Sequence, residues 1–233
     1  MDVVICCIAL NEELYIDEWL QHHFSLGFNK AYVYDNSDDF SLKDREVDTR
    51  IKVIHFPGLL KQVPAYNHFL ENYAHNHDWC AFIDVDEFFI LHKHGTIQEY
   101  LFEESRGLST ASIGVNWVLF GSDGQEKYEP RPVMERFTKG ELNQHIKTIV
   151  NLKTPSKKQV KFENCHYPQN VPVTVHVPGG STTHVWNTPF NEPGDNSVIQ
   201  LNHYFCKSRE EFEKKIERGR ADVTEKRTMT EFF

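Results

Sequence analysis

Val3-Val4-Ile5-Cys6-Cys7-Ile8-Ala9-Leu10 is an unbroken apolar run, cut short by Asn11-Glu12-Glu13. Such a run, rich in β-branched residues and lacking alternation, predicts a strand covered on both faces in a mostly parallel sheet. From Glu12 to Leu26 the apolar positions Leu14, Ile16, Trp19, Leu20 and Phe24, with His23, recur at helical spacing, and Gly27 supplies a stop. Strand followed by helix opens a βαβ unit. A second strand is predicted over Lys30-Ala31-Tyr32-Val33-Tyr34, ending in the polar loop Asp35-Asn36-Ser37-Asp38-Asp39, and a third over Ile51–Phe56, stopped by Pro57-Gly58. Gln62 to His75 reads as a helix with Ala65, Phe69, Leu70 and Tyr73 on one face, and residues 79–83 read as the fourth strand. Alternation of strands and helices over the first hundred or so residues points to an α/β sheet with its ligand site at the carboxyl ends of the strands.

The second half is less regular. Residues 111–120 predict a strand running into the turn Gly121-Ser122-Asp123-Gly124, with shorter strands at 146–151 and 171–177 broken by Pro155, Pro168, Pro172 and Pro178. Residues 178–197, rich in Gly, Pro, Asn and Thr, read as long loops, which over a binding rim often carry specificity. A last helix is predicted from Ser208 to Gly219. One domain over 1–233 is expected, with a regular half over about 1–100 and a less regular half with the C-terminal helix over about 101–233.

Composition narrows the classes. A net charge of -9 argues against a nucleic-acid partner, which calls for a basic footprint. The five cysteines are odd in number and show no CxxC spacing, so reduced buried thiols are expected rather than a zinc site. The first residues read as a strand and not as a signal peptide or membrane span, which predicts a cytoplasmic protein without a transmembrane segment.

The chemistry centres on Phe82-Ile83-Asp84-Val85-Asp86-Glu87-Phe88, three carboxylates at the end of an apolar strand with aromatics directly behind them. Clustered charge at the edge of a core is costly unless a cation sits against it. Hard oxygen ligands suit Mn²⁺ or Mg²⁺, which take one or two carboxylates and leave other positions to water and phosphate oxygens. A solvated acidic turn is the bland alternative.

Together with Cys7–Glu13, Ile16–His23, Tyr34-Asp35-Asn36-Ser37, Leu201-Asn202-His203-Tyr204 and Arg218-Gly219-Arg220, this segment resembles the GT-A fold glycosyltransferases. The likeness is closest to the family-2-like and family-92-like groups with a DxD motif. That resemblance implies a Rossmann-like, mostly parallel mixed sheet flanked by helices, with a nucleotide-binding half over about 1–100 and an acceptor-side half over about 101–233. It also implies metal-dependent transfer of a sugar from a UDP- or GDP-sugar to a hydroxyl of a glycan, with inversion. In such enzymes the second Asp, here Asp86, holds the metal on the donor diphosphate, and the first, Asp84, contacts ribose or a metal-bound water. His203 matches the late histidine that completes the metal shell. Asp35, Asn11 and Glu12 fall where related enzymes contact the nucleotide, although Asp35-Asn36-Ser37 equally fits a plain Asx turn.

Lys207 and Arg220 are the candidate diphosphate contacts, with Arg218 and Lys147 also basic; Lys214-Lys215 and Arg218 fit equally an exposed helix face paired with glutamates. For the base that takes the acceptor proton, Asp123 stands near Trp117, an aromatic that could stack on a sugar ring, and Asp195 is its competitor. A metal-dependent nucleotidyl- or phosphotransferase, or a non-catalytic sugar-binding module, are the other readings. The absence of a Walker-type loop counts against a kinase-like version.

Overall fold

The computed structural model describes residues 1–105, 110–154, 160–179 and 181–233, so Pro155 lies outside the described residues. The first half comprises β1 (Val3–Ala9), α1 (Ile16–Ser25), β2 (Lys30–Asp35), β3 (Ile51–His55), α2 (Gln62–Asn72), β4 (Trp79–Phe82), β5 (Glu87–Leu91) and α3 (Ile97–Glu104). The second comprises β6 (Ser112–Phe120), α4 (Val133–Arg136), β7 (Gly140–Asn151), β8 (Lys161–Phe162), β9 (Pro168–Gln169), β10 (Val173–Val177), β11 (Ser181–Val185), β12 (Ile199–His203) and α5 (Arg209–Arg218).

β1 shows why its sequence does not alternate. Val3, Ile5, Cys7 and Ala9 enter one apolar cluster with Ile16, Trp19 and Leu20 of α1, whereas Val4, Cys6 and Ile8 enter another with Ala65, Tyr66 and Phe69 of α2. The strand is sandwiched between helices. Leu14, expected on the α1 face, precedes the helix and is exposed. Gly27 ends the segment at φ 99°, a left-handed conformation glycine adopts without strain. All five cysteines are free and buried.

A ten-stranded sheet takes strands from both halves, in the order β11-β10-β6-β7-β4-β1-β2-β3, with β12 on β6 and β5 on β12. Five of its nine strand pairings are parallel, which makes it the mixed, mostly parallel sheet expected of the fold class. β7 runs antiparallel between β4 and β6, so β6 regains the direction of β1 to β4, and β12 lies parallel to it. The carboxyl ends of β1, β2, β4, β6 and β12 therefore meet at one rim. β7, β11 and β12 enlarge the expected picture: β7 is twelve residues rather than a short strand at 146–151, and β11 lies within the expected loops.

β6, β7 and β10 approach so closely at Gly114 that a Cβ there would sit 2.8 Å from Val173 Cγ1 and 2.9 Å from Ile146 Cδ1. Gly114→Ala is expected to cost about 1–3 kcal/mol by overpacking, measured as a lower denaturant midpoint at unchanged slope. Among the described residues no helix is long and apolar enough to cross a membrane.

Candidate functional site

The turn joining β4 to β5 carries the acids. Glu87 N donates to Asp84 O at 3.1 Å and Asp84 N donates to Glu87 Oε2 at 2.8 Å, so the turn closes on itself. Asp86 O accepts from Tyr204 N at 2.9 Å, which fastens the turn to the end of β12. Glu87 is fully buried behind the rim, in a supporting position.

The charge problem is answered first from within the chain. Lys147 on β7, wholly buried, donates to Asp84 Oδ2 at 2.9 Å and stands 3.8 Å from Glu87 Oε2. Burial would push its ammonium down, but Asp84 and Glu87 hold it well above its ordinary range. Burial pushes Glu87 up, against the opposing pull of Lys147. Asp84 Oδ1 accepts from Gln62 Nε2 at the start of α2.

Asp86 has a different environment. Lys215 Nζ of α5 donates to its Oδ2 at 2.7 Å, and His203 Nε2 lies 3.6 Å from its Oδ1. Burial works to raise this carboxyl, yet Lys215 and His203 hold it well below the carboxylate range, so it stays ionised. Burial lowers His203, with Asp86 opposing, and its buried Nδ1 has no hydrogen-bond partner. An ionised carboxylate oxygen without a close donor beside a neutral imidazole is a donor set that suits Mn²⁺ or Mg²⁺. Among the described residues no group of three His, Cys, Asp or Glu side chains is drawn together for a metal, so this pair would leave most positions to substrate oxygens and water.

Asp84, Asp86 and His203 line a cleft of about 530 Å³. Lys215, Arg218, Arg220 and Arg227 form a cationic wall in the same cleft. Arg218 donates to Glu12 and to Leu10 O, tying α5 to the end of β1, and Arg220 pairs with Asp222 at 3.1 Å. Arg227 has a buried Nε without a hydrogen-bond partner, and burial together with Arg220 lowers its guanidinium from the usual range. Lys215, Arg218 and Arg220 each pair with an acid, whereas the unfilled Nε of Arg227 is a donor that an anionic oxygen would satisfy. Trp117, His145 and His166 also line the cleft; burial lowers both imidazoles, His166 to about 4.

Residues 49–230 match the family model described as glycosyltransferase family 92. The chain belongs to glycosyltransferase family 92. A family 92 protein of Ricinus communis is 26% identical over 143 residues, 59% of this chain and 26% of the relative. One of Oryza sativa subsp. japonica is 24% identical over 139 residues, 58% of this chain and 24% of the relative. The chain thus spans about a quarter of the length of these curated relatives. Among solved structures, a 4-diphosphocytidyl-2C-methyl-D-erythritol synthase is similar over 65% of this chain and 76% of its own, at 9% identity and a TM-score of 0.40.

The family 92 match takes in the acidic turn, His203, Lys215 and Arg227, whereas Asn11, Glu12 and Asp35 precede it. Of the residues singled out from sequence, Glu12, Asp84, Asp86, His203 and Arg220 meet in the cleft. Asn11 and Lys207 line an adjoining cleft of about 410 Å³ that shares Glu12, Asp86, Lys215 and Arg218 with the first. Lys207 lies 3.2 Å above the Tyr15 ring and 3.7 Å from Glu12 Oε2, and does not line the main cleft.

Three expectations are corrected. Asp35 is fully buried, accepting from Ser37 N, Ser37 Oγ and Leu42 N, so it shapes its own loop; Asn36 lines the cleft instead. Asp123, at φ 49°, accepts from Thr138 N and Oγ1, and Asp195 accepts from Ser197 N at 2.6 Å. Both are turn-forming carboxylates outside the cleft lining. Lys215, read as part of an exposed helix face, is largely buried on Asp86. Glu211, Lys215 and Arg218 stand four and three residues apart, beside the buried Phe212, and that spacing was the available signal.

Proposed function

We propose that this cleft binds a nucleotide-sugar and transfers its sugar, with inversion, to a hydroxyl of a glycan, using Mn²⁺ or Mg²⁺ held by Asp86 and His203. The observation that carries the reading is an ionised Asp86 facing a wall of four cations in one cleft. Asp86 and His203 supply the protein's direct metal ligands, and Asp84, fixed by Lys147 and Gln62, presents a carboxylate for ribose or a metal-bound water. When bound, a divalent cation there offsets negative charge on the departing diphosphate. Lys215, Arg218, Arg220 and Arg227 take the phosphate oxygens and hold the leaving group in place. Glu12 restrains Arg218, and Asn36 borders the nucleoside end.

Calorimetry with UDP and GDP, with and without Mn²⁺, tests this directly. Metal-dependent binding of one nucleotide is expected, and its absence for both would sink the proposal. Slow hydrolysis of a nucleotide-sugar to nucleoside diphosphate and free sugar without acceptor would separate transfer from a non-catalytic sugar-binding module, whereas release of nucleoside monophosphate and sugar 1-phosphate would indicate nucleotidyl chemistry. Arg227→Gln is expected to weaken diphosphate binding by about 10- to 100-fold, the worth of one charge-assisted hydrogen bond. Unchanged affinity in that variant would remove Arg227 from the phosphate site.

A further inference from the structure

Trp117, His145 and His166 line the same cleft as the four cations. A succession of rings leads outward from the metal pair, His203 to Trp117 at 4.3 Å between centroids, Trp117 stacked on His145 at 5.0 Å, and His145 against Phe190, beyond the cleft lining, at 4.7 Å. His166 joins at 5.3 Å from Trp117. Phe190 is 43% exposed, so the succession begins beside Asp86 and ends in solvent.

We propose that Trp117, His145, His166 and Phe190 form the acceptor subsite and seat the sugar rings of a neutral glycan. The assignment rests on the glycosyl-transfer reading above and adds to it the class of acceptor. Aromatic faces suit the apolar faces of pyranose rings, and the hydroxyls at the ring edges need hydrogen-bond acceptors. The histidines provide these. His145 Nδ1 faces Asn143 Oδ1 at 2.8 Å and His166 Nδ1 faces the Ile146 carbonyl at 2.9 Å. An oxygen of either kind only accepts, so Nδ1 carries the proton in both rings and each Nε2 keeps a lone pair. Among the described residues neither Nε2 has a hydrogen-bond partner. The four residues carry no carboxylate, ammonium or guanidinium group, and both imidazoles meet the ligand as neutral acceptors, which favours an uncharged sugar over a uronic acid or an amino sugar.

The platform is held by the backbone. The pairing of β6 with β7 passes from Asn116↔Ile146 to Val118↔Leu142, so β7 carries the extra residues, a bulge over residues 143–145 facing Trp117, a device that re-aims side chains beside active sites. Asn116 Nδ2 donates to the carbonyls of Asn143 and Asn191, and Asn191 Nδ2 returns a bond to Asn116 Oδ1 at 2.7 Å. With Ile146 N donating to Pro189 O at 2.9 Å, these bonds clamp the segment carrying Phe190 onto the bulge. Gly194 packs so tightly on this clamp that a Cβ would lie 2.6 Å from Asn116 Nδ2.

The test uses the nucleotide-saturated protein with histidine-labelled NMR and a panel of neutral hexose mono- to pentasaccharides, with uronic-acid oligomers as the charged comparison. His145 and His166 ring signals are expected to shift with the neutral sugars, more strongly as chain length grows. Phe190→Ala, at an exposed site that spares folding, should weaken oligosaccharide binding about tenfold and leave nucleotide affinity unchanged. Neutral sugars that bind without moving these signals, that do not bind at all, or that bind less well than the acidic oligomers overturn the subsite. So does a Phe190→Ala protein with unaltered oligosaccharide affinity. Failure of the nucleotide to bind, with the sugar shifts intact, keeps the platform and removes the transfer reading instead.

Discussion

Asp86→Asn is expected to abolish Mn²⁺ binding in the presence of nucleotide and to lower sugar transfer on the order of 10²- to 10³-fold. The amide keeps the shape of the carboxylate and loses its charge, and the side chain is too buried for water to compensate. The same change strands Lys215, whose ammonium loses its acid at 2.7 Å and keeps the Phe205 carbonyl at 2.8 Å and the Phe205 ring at 4.5 Å, neither of which carries a charge. An unpaired buried cation destabilises the fold in its own right. The double variant Asp86→Asn with Lys215→Met separates the two effects, because it removes both charges together. Its melting temperature should recover relative to the single variant, while Mn²⁺ binding, read from the electron paramagnetic resonance of the free ion, stays lost. If the wild-type protein with saturating nucleotide leaves all Mn²⁺ free, Asp86 and Lys215 are a structural ion pair and the metal assignment falls.

That ambiguity explains how far the sequence could be read. A cation against Asp84 and Asp86 was foreseeable from electrostatics, but the rule does not say whose cation, and Lys147 and Lys215 lie 63 and 129 positions away in the chain. β1 was legible because a run buried on both faces has no other home, whereas the first half of β7, largely exposed through Gly140–His145, reads as loop until β6 pairs with it. β12 carries a period-two pattern in Ile199-Gln200-Leu201 that is too short to mark a strand until β5 and β6 pair with it. Asp35, Asp123 and Asp195 share one reason for their displacement. A short carboxylate that caps its own loop and one that meets a ligand have the same local sequence, and only the three-dimensional positions of Ser37, Thr138 and Ser197 distinguish them.

Arg136→Ala is expected to cost about 3–5 kcal/mol, the range for removing one partner from a buried ion pair. Arg136 is 3% exposed and Glu211 7%, and the guanidinium meets both carboxylate oxygens, one at 3.1 Å. Glu211 also accepts from Tyr15 OH at 2.6 Å and from Ser208 N at 3.0 Å, completing the capping box that starts α5. Since α5 delivers Lys215 and Arg218 to the cleft, loosening its first turn should also weaken nucleotide binding, which calorimetry on the still-folded fraction would show. The pH dependence carries the same signature. Burial acts to raise Glu211, but its bonds to Arg136, Ser208 and Tyr15 leave it below the ordinary carboxylate range. A carboxyl depressed on folding contributes stability that is complete above its unfolded pKa and lost as pH falls through the folded one. Wild-type stability should therefore decline on the acid side below about pH 4 more steeply than that of Glu211→Gln, in which the titrating group is gone. Parallel acid limbs in denaturant titrations of the two proteins would show that Glu211 titrates alike in the folded and unfolded chain, and that the pair does not anchor α5.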